Sequence, residues 1–322
     1  MSCVLIAAAG LLFMAGKISL PYCLTFLFCA FTVYADLETM GNSAFLSKKI
    51  NTELDRLEEV TNIPQMDTST DKLETSHYDI TLDHVSFGYD KRQVIHDISL
   101  NIPEHTTCAI VGPSGSGKTT LCNLIARFWD VQDGAVRIGG KDVKNYTADS
   151  ILEHISMVFQ NVYLFHDSIE NNIKFGKPDA THEEVEAAAK RACCHDFISA
   201  LPDGYNTIIG EGGSTLSGGE KQRISIARAI LKDAPIILLD EASASLDVES
   251  ETFVQKALSH LIANRTVIMI AHRMRTIANA SKLIVLEDGH VVEQGTPEQL
   301  LRKEGVYQRM VDLQKMSNEW KL

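Results

Sequence analysis

Thr107-Cys108-Ala109-Ile110-Val111 runs directly into Gly112-Pro113-Ser114-Gly115-Ser116-Gly117-Lys118-Thr119, and this stretch decides the fold. The apolar run is typical of a buried strand. The glycine-rich run matches the phosphate-loop pattern G-x-x-x-x-G-K-T. An apolar helical pattern follows from about Lys118. Strand, loop and helix together predict an α/β nucleotide-binding fold.

The phosphate loop has the residue types that triphosphate binding needs. Its glycines let backbone N–H groups turn inward around phosphates, and the following helix adds its positive N-terminal end. We expect Lys118 to contact the β- and γ-phosphates, and the Thr119 hydroxyl to ligate Mg²⁺. The predicted nucleotide-binding residues here are Gly112, Pro113, Ser114, Gly115, Ser116, Gly117, Lys118, Thr119 and Thr120.

A second buried strand, Ile236–Leu239, ends in Asp240 and Glu241. Continuous apolar runs of this kind are typical of parallel strands that are covered on both faces. We expect Asp240 to hold Mg²⁺ through water and Glu241 to act as the general base on the attacking water. The alternative for Glu241 is a surface carboxylate at a strand end.

Leu216-Ser217-Gly218-Gly219-Glu220 lies between these two motifs. Ser217 is a suitable N-cap for a helix running to about Leu231, and the glycines expose backbone N–H groups at the helix start. The phosphate loop already surrounds one side of a nucleotide. We therefore expect this second anion-binding surface to complete the site of another subunit.

Together these motifs resemble the signature set of the ATP-binding-cassette (ABC) superfamily, and residues 78–322 look like its nucleotide-binding domain. The resemblance implies an α/β P-loop NTPase with a RecA-like core and an antiparallel β subdomain. It also implies a helical signature subdomain over about residues 161–230.

The resemblance assigns further roles. Tyr89 matches the aromatic residue that stacks on adenine. Gln160, at the end of the predicted strand Ile155–Gln160, matches the glutamine that senses Mg²⁺ and couples to the membrane domain. His272 matches the histidine that contacts the γ-phosphate, and Ser245-Leu246-Asp247 matches the loop that crosses the dimer interface. The implied catalytic residues are Glu241, His272, Lys118 and Gln160, the metal-binding residues are Thr119, Gln160 and Asp240, and the partner-facing nucleotide contacts are Ser217, Gly218, Gly219 and Glu220.

Two segments resemble exporter-type subunits. Leu164–Ile173 is similar to the exporter segment that meets the membrane domain, and Ile209–Gly213 is similar to the exporter loop that contacts coupling helices. The order of a membrane helix followed by an ATPase agrees with this type.

Residues 1–35 are almost wholly apolar, with Lys17 the only charge before Asp36. We predict a partial transmembrane domain here: the end of one helix, a turn at Gly16–Pro21, and a second helix over Leu20–Ala35. A span needs about 20 apolar residues, so the flanks would have to complete the second helix. The alternative is a buried helical hairpin. The missing basic start argues against a signal peptide.

Residues 36–77 form the predicted connection. Apolar residues recur at helical spacing from Phe45 to Val60, which predicts an amphipathic helix continuing from the membrane segment. Pro64 is expected to end it, and a loop follows. The alternative is a solvated connector with no role in transmission.

The net charge of −12 argues against a nucleic-acid partner held by a general basic surface. The cysteines show no metal-ligand spacing, and Cys193 and Cys194 are adjacent. We expect free thiols in a reducing cytosol.

We therefore expect an ATP- and Mg²⁺-dependent ABC exporter subunit, in a homo- or heterodimer, in contact with membrane helices and the lipid bilayer. It would lie in the cell membrane with its ATPase domain in the cytoplasm. Full exporter subunits have more membrane helices, so we expect a fragment, a truncated product or half of a split gene. The alternatives are a non-transporting ATP-binding remnant and a soluble ABC ATPase acting on the ribosome or DNA.

Overall fold

The computed structural model describes residues 2–62, 66, 69–90, 92–240, 248–271 and 280–319. Contacts between Cα atoms divide the chain into two compact units, Met1–Gln65 and Met66–Leu322. The first is helical and the second contains both sheets.

The first unit consists of α1 (Ser2–Met14) and α2 (Leu20–Thr61). Gly16, at a φ of 67°, lies in the turn between them, where the sequence predicts one. The helices pack together, and the Cys23 thiol donates to the Ala9 carbonyl at 3.8 Å. The predicted amphipathic helix is confirmed as part of a single helix of 42 residues. Pro64 lies outside the described residues.

In the described part of the chain, no helix has both the length and the apolar character needed to cross a bilayer. The partial transmembrane domain expected over residues 1–35 stays a prediction.

The second unit contains two sheets. Its strands are β1 (Ile80–Tyr89), β2 (Arg92–Ile102), β3 (Thr107–Val111), β4 (Asp133–Ile138), β5 (Lys141–Asp142), β6 (Ile155–Val158), β7 (Ile236–Asp240), β8 (Thr266–Ile270), β9 (Lys282–Glu287) and β10 (His290–Gly295). An antiparallel sheet has the order β2-β1-β4-β5, and a larger sheet has the order β10-β9-β3-β8-β7-β6. In the larger sheet the strands are parallel except β10.

The helices of this unit are α3 (Lys118–Ile125), α4 (Ala148–Glu153), α5 (Ile169–Lys174), α6 (His182–Arg191), α7 (His195–Ser199), α8 (Gly218–Lys232), α9 (Val248–Ile262), α10 (Pro297–Leu301) and α11 (Val306–Glu319). Side-chain caps define several starts. Ser217 and Glu220 form a reciprocal capping box at α8, as Thr181 and Glu184 do at α6. The predicted cap at Ser217 is therefore confirmed.

Strand β7 shows how the larger sheet is covered on both faces. Ile236 and Leu238 belong to a core that combines both sheets with α3. Ile237 and Leu239 belong to a second core, built with residues of α5 to α9. Because alternate residues of a strand point to opposite faces, a run of consecutive apolar residues satisfies both cores. This arrangement confirms the α/β fold class and the buried strands expected from the sequence.

The segment before β1 is attached to the second unit. The Leu73 amide donates to Ser150 Oγ at 3.0 Å, and the Leu73 carbonyl lies 3.0 Å from His154 Nε2. Leu73 is also buried. The predicted loop after α2 is thus held in place over this part of its length.

Candidate functional site

A pocket of about 840 Å³ opens at the carboxyl ends of β3 and β7. Ligands of open α/β sheets bind at this edge. The lining residues are Tyr89, Arg92, Gln93, Val94, His96, Ser114, Gly115, Gly117, Lys118, Thr119, Thr120, Gln160, Asp240, Ile270, Asp288 and Gly289. The pocket is within the size range of small-molecule sites, about 300–1,000 Å³.

The phosphate loop makes a close backbone turn at the floor of this pocket. Gly112 has a φ of 154°, and a Cβ there would collide with the Leu286 carbonyl. The buried Lys118 ammonium donates to the carbonyls of Gly112 and Pro113, at 3.0 and 2.7 Å. The pocket is lined by Ser114, Gly115 and Gly117 of this loop. The remaining loop residues Gly112, Pro113 and Ser116 do not line it.

Oxygen-bearing side chains that could hold Mg²⁺ share this pocket. Thr119 begins the loop helix, Asp240 ends β7, and Gln160 follows the end of β6. Hydroxyl, carboxylate and amide oxygens suit a hard cation, and Mg²⁺ usually combines few protein ligands with substrate phosphates. The described residues contain no cluster of three or more His, Cys, Asp or Glu that could hold a metal alone. The residues present thus fit a metal bound together with a phosphate ligand.

Tyr89, to which the resemblance assigns an adenine contact, also lines this pocket. Its ring meets the rings of Phe87 and Trp129 edge-on, with centroids 5.0 and 5.5 Å apart. Its hydroxyl donates to Thr120 Oγ1 at 3.5 Å. The aromatic end of the pocket is thereby connected to the loop helix.

Several pocket residues are missing from the sequence prediction. Arg92, Gln93, Val94 and His96 come from β2, which returns antiparallel beside Tyr89. Their position depends on strand pairing. The register of β2 against β1 places Arg92 opposite Tyr89 and Gln93 opposite Gly88.

The hairpin turn between β9 and β10 also contributes to the pocket. Asp288 and Gly289 have φ values of 47° and 77°, the left-handed geometry that tight hairpins require. The Gly289 amide donates to the Ser116 carbonyl at 3.2 Å, and the His96 amide donates to the Gly289 carbonyl at 3.0 Å. The turn at Asp288 and Gly289 thus braces the phosphate loop.

The Ser217–Glu220 segment does not line this pocket. Ser217 Oγ accepts from the Glu220 amide at 3.3 Å, and Glu220 Oε2 accepts from the Ser217 amide at 2.8 Å. Ser217 and Gly218 are exposed, whereas Gly219 is buried against α9. A Cβ on Gly219 would lie 2.5 Å from Ser250 Cβ. The capped start of α8 is thus not part of the pocket that the chain's own phosphate loop lines.

Three predicted elements lie outside the described residues. They are Glu241, the segment Ser245-Leu246-Asp247, and His272. The elements before and after them are described: β7 ends at Asp240 and α9 begins at Val248, while β8 ends at Ile270.

The segment 163–175 is held by a half-buried arginine of α8. Arg228 donates to the Asn172 carbonyl at 2.6 Å, the Tyr163 carbonyl at 2.8 Å and Asn172 Oδ1 at 2.6 Å. Its guanidinium also lies over Phe165 and Phe175. Burial lowers the pKa of Arg228 to about 10. The helix that begins with Ser217 is thereby joined to the predicted exporter segment Leu164–Ile173.

The fold and this pocket define a P-loop nucleotide-binding domain. Residues 95–244 match the family model described as ABC transporter. Together with the phosphate loop, the acidic strand end and the capped Ser217–Glu220 helix, this match places the chain in the ABC transporter family.

Two curated relatives of the chain carry names that describe a flippase and an export permease. The chain is 52% identical, over 230 residues, to an ATP-dependent lipid A-core flippase of Desulfotalea psychrophila, covering 71% of this chain and 40% of the relative. It is 47% identical, over 239 residues, to a Staphylococcus aureus protein named as a multidrug export ATP-binding/permease protein, covering 74% and 41%. The chain therefore spans less than half the length of these relatives.

A solved structure matches over nearly the whole chain. It is a bacterial Atm1-family ABC exporter with ATP bound, 34% identical, with a TM-score of 0.76. The match covers 97% of this chain and 56% of the other. The alignment therefore includes residues of both units.

Proposed function

We propose that this chain is the ATP-binding and hydrolysing part of an ABC exporter that works as a homo- or heterodimer. The observation that carries the proposal is the separation of two anion-binding surfaces. Lys118, Thr119 and Asp240 share one pocket, while Ser217 lies outside it on an exposed, capped helix start. In a dimer, each pocket would be completed by the partner's Ser217–Glu220 segment, so that a pair of ATP molecules lies between subunits.

The side chains have complementary tasks in this proposal. Loop N–H groups and Lys118 bind and orient the phosphates. Thr119 and Asp240, with Gln160, would hold Mg²⁺, which neutralises charge on the phosphate oxygens when bound. Glu241 follows Asp240 directly in the sequence, and we propose that it takes the proton of the attacking water. His272 is proposed to contact the γ-phosphate.

We also propose that the chain acts at the cell membrane, with the ATPase unit in the cytoplasm. The names of the relatives and the exporter structure support this placement. In this proposal residues 1–35 correspond to part of a membrane domain, 36–77 to the connection, and 78–322 to the ATPase. The segment Leu164–Ile173, to which Arg228 donates hydrogen bonds at Asn172, is proposed to contact membrane-domain helices.

The test is a subunit-mixing experiment on ATP hydrolysis. Lys118→Ala removes the phosphate contact, and Ser217→Arg blocks the helix start offered to the partner. Each variant alone should lose hydrolysis. An equal mixture should recover about a quarter of the wild-type rate, because half of random pairs are mixed and each mixed pair has one intact site.

Thr181→Arg provides the matched control, because Thr181 forms the same capping box on α6. Loss of a cap costs about 1 kcal/mol in either helix, so this control separates helix damage from loss of the partner contact. It should hydrolyse ATP like the wild type. A Ser217→Arg variant that hydrolyses ATP fully on its own would contradict the shared-site proposal.

A further inference from the structure

Two other aromatic rings pack against Tyr89 at nearly perpendicular angles. The Phe87 ring lies 5.0 Å away at an interplanar angle of 88°, and the Trp129 ring lies 5.5 Å away at 87°. Phe87 is buried beneath the sheet, whereas Trp129 is 49% exposed. Edge-to-face contacts of this kind fix ring orientation. Tyr89 still lines the nucleotide pocket, so its orientation is set by neighbours other than the ligand.

The loop that carries Trp129 is anchored on both sides. Arg127 donates to Asp130 Oδ1 at 3.0 Å. Gln132 donates from its backbone amide to the Ser86 carbonyl at 3.1 Å and from Nε2 to the Gly88 carbonyl at 3.0 Å. The loop is therefore tied to β1 on the residue before Tyr89. Trp129 is a half-exposed side chain on a fixed backbone.

The same loop follows the phosphate-binding helix α3 with few residues between them. Tyr89 also reaches α3 directly, through its hydrogen bond to Thr120. The Tyr89 ring is consequently connected to the helix that begins at Lys118, in the phosphate loop.

We propose that Trp129 is a positioning residue for the planar base of a nucleoside triphosphate. It acts through Tyr89, by holding that ring so that one face meets the base; this inference rests on the proposed function. The Trp129 ring adds to affinity only when the ligand has a base. Binding of the phosphates depends on the loop and is independent of Trp129.

The test compares ATP with inorganic triphosphate as ligands of the full chain, by titration calorimetry in Mg²⁺. Trp129→Ala should weaken ATP binding about 3- to 10-fold, the range expected for loss of an aromatic pair. Trp129→Phe should stay within about 2-fold, because a ring edge is retained. Affinity for inorganic triphosphate should be unchanged in both variants.

A double-mutant cycle with Tyr89→Ala tests whether Trp129 acts through Tyr89. In the Tyr89→Ala background, Trp129→Ala should cause no further loss of ATP affinity. Phe175→Ala is the matched control, because Phe175 is also an exposed ring packed against another aromatic ring, at a tilt of 36°, but it follows α5 and does not line the pocket. It should bind ATP like the wild type.

The outcomes separate this inference from the proposed function. Wild type that binds neither ligand would refute the proposed function and this inference together. Wild type that binds ATP while Trp129→Ala binds it equally well would overturn only the inference. Equal loss for ATP and inorganic triphosphate, or an additional loss in the Tyr89→Ala background, would also overturn it. Thermal unfolding of each variant shows whether the fold is retained. If Trp129→Ala does not fold, Trp129→Leu, which keeps apolar bulk but has no aromatic ring, replaces it with the same expected loss of ATP affinity.

Discussion

The Arg127 guanidinium donates from Nη2 to the backbone carbonyl of Met66 at 3.2 Å. Arg127 follows the end of the phosphate-binding helix, and Met66 is the first residue of the second compact unit. The arginine is only 2% exposed and has a left-handed φ of 53°. It also donates to the carbonyls of Tyr146 and Lys144. The buried Arg127 guanidinium thus connects the C-terminal end of α3 to the start of the second unit.

Arg127→Ala should destabilise the second unit by about 3 kcal/mol, the lower end of the range for breaking a buried charge network. The lower end applies because the paired Asp130 carboxylate is 30% exposed. The measurement is urea unfolding, with a lower midpoint and an unchanged m-value. Arg137→Ala is the control, since its pair with Asp83 is on the surface. A shift no larger than that of the control would show that the network is not needed.

Gly219→Ala should destabilise the start of α8 by about 1–3 kcal/mol through overlap with Ser250. Alanine favours helices over glycine by about 1 kcal/mol, but the 2.5 Å approach to Ser250 Cβ outweighs this gain. Adding Ser250→Gly removes that Cβ and should restore most of the loss. Gly41→Ala in α2 meets no atom within 4 Å, so it should not destabilise. Failure of the second substitution to restore stability would argue against the overlap.

Arg228→Ala should cost about 2–3 kcal/mol, because three hydrogen bonds to Tyr163 and Asn172 are lost from a half-buried site. Arg228→Lys should recover less than half of this loss in unfolding free energy, since a lysine ammonium cannot reproduce the hydrogen-bond geometry of the planar guanidinium. Hydrogen exchange should show faster exchange over residues 163–175 in both variants. Arg191→Ala, which loses one exposed bond to the His260 carbonyl, should leave that segment protected.

Glu170 should make the stability of the helical segment depend on pH. Hydrogen bonds from Lys174 chiefly, and from His182, hold the pKa of the Glu170 carboxyl below its usual range. Its contribution is therefore fully present above about pH 4.3, the usual value, and is lost as pH falls through the lowered folded value. The difference in unfolding free energy between wild type and Glu170→Gln should shrink over that window. Glu186→Gln, whose Lys190 partner is more exposed, should show a weaker pH dependence because solvent screens the pair. A difference that is constant with pH would contradict the assignment.

The sequence predicts much of the fold because several signals are local. The run Thr107–Val111 is buried on both faces, so its apolar pattern is continuous, and the helix after the loop starts at Lys118 as expected. Asp288 and Gly289 both have left-handed φ values, and the dipeptide Asp-Gly is typical of hairpin turns, so the sequence indicates this hairpin. Ser217 has the side chain that a helix cap requires.

Other parts of the site depend on contacts that sequence spacing does not reveal. Arg127 looks like a surface charge in the sequence, yet backbone carbonyls distant in the chain bury it. Arg92 and His96 enter the pocket because β2 pairs with β1 in one particular register. Glu220 is expected from the family resemblance only as a partner-facing nucleotide contact, and its carboxylate accepts from the Ser217 amide as part of the helix cap. The roles of Glu241 and His272 stay predictions, since both lie outside the described residues.

Tips of hairpins are usually where a chain tolerates added residues, but the tip formed by Asp288 and Gly289 is a wall of the candidate nucleotide pocket. Lengthening it would move Gly289 away from its hydrogen-bond partners Ser116 and His96 and would disturb the glycine-rich loop. A fluorescent reporter or a fused domain therefore belongs elsewhere. The exposed connection at Pro178 and Asp179, which lines no part of that pocket, is the better place to join a second protein to this chain.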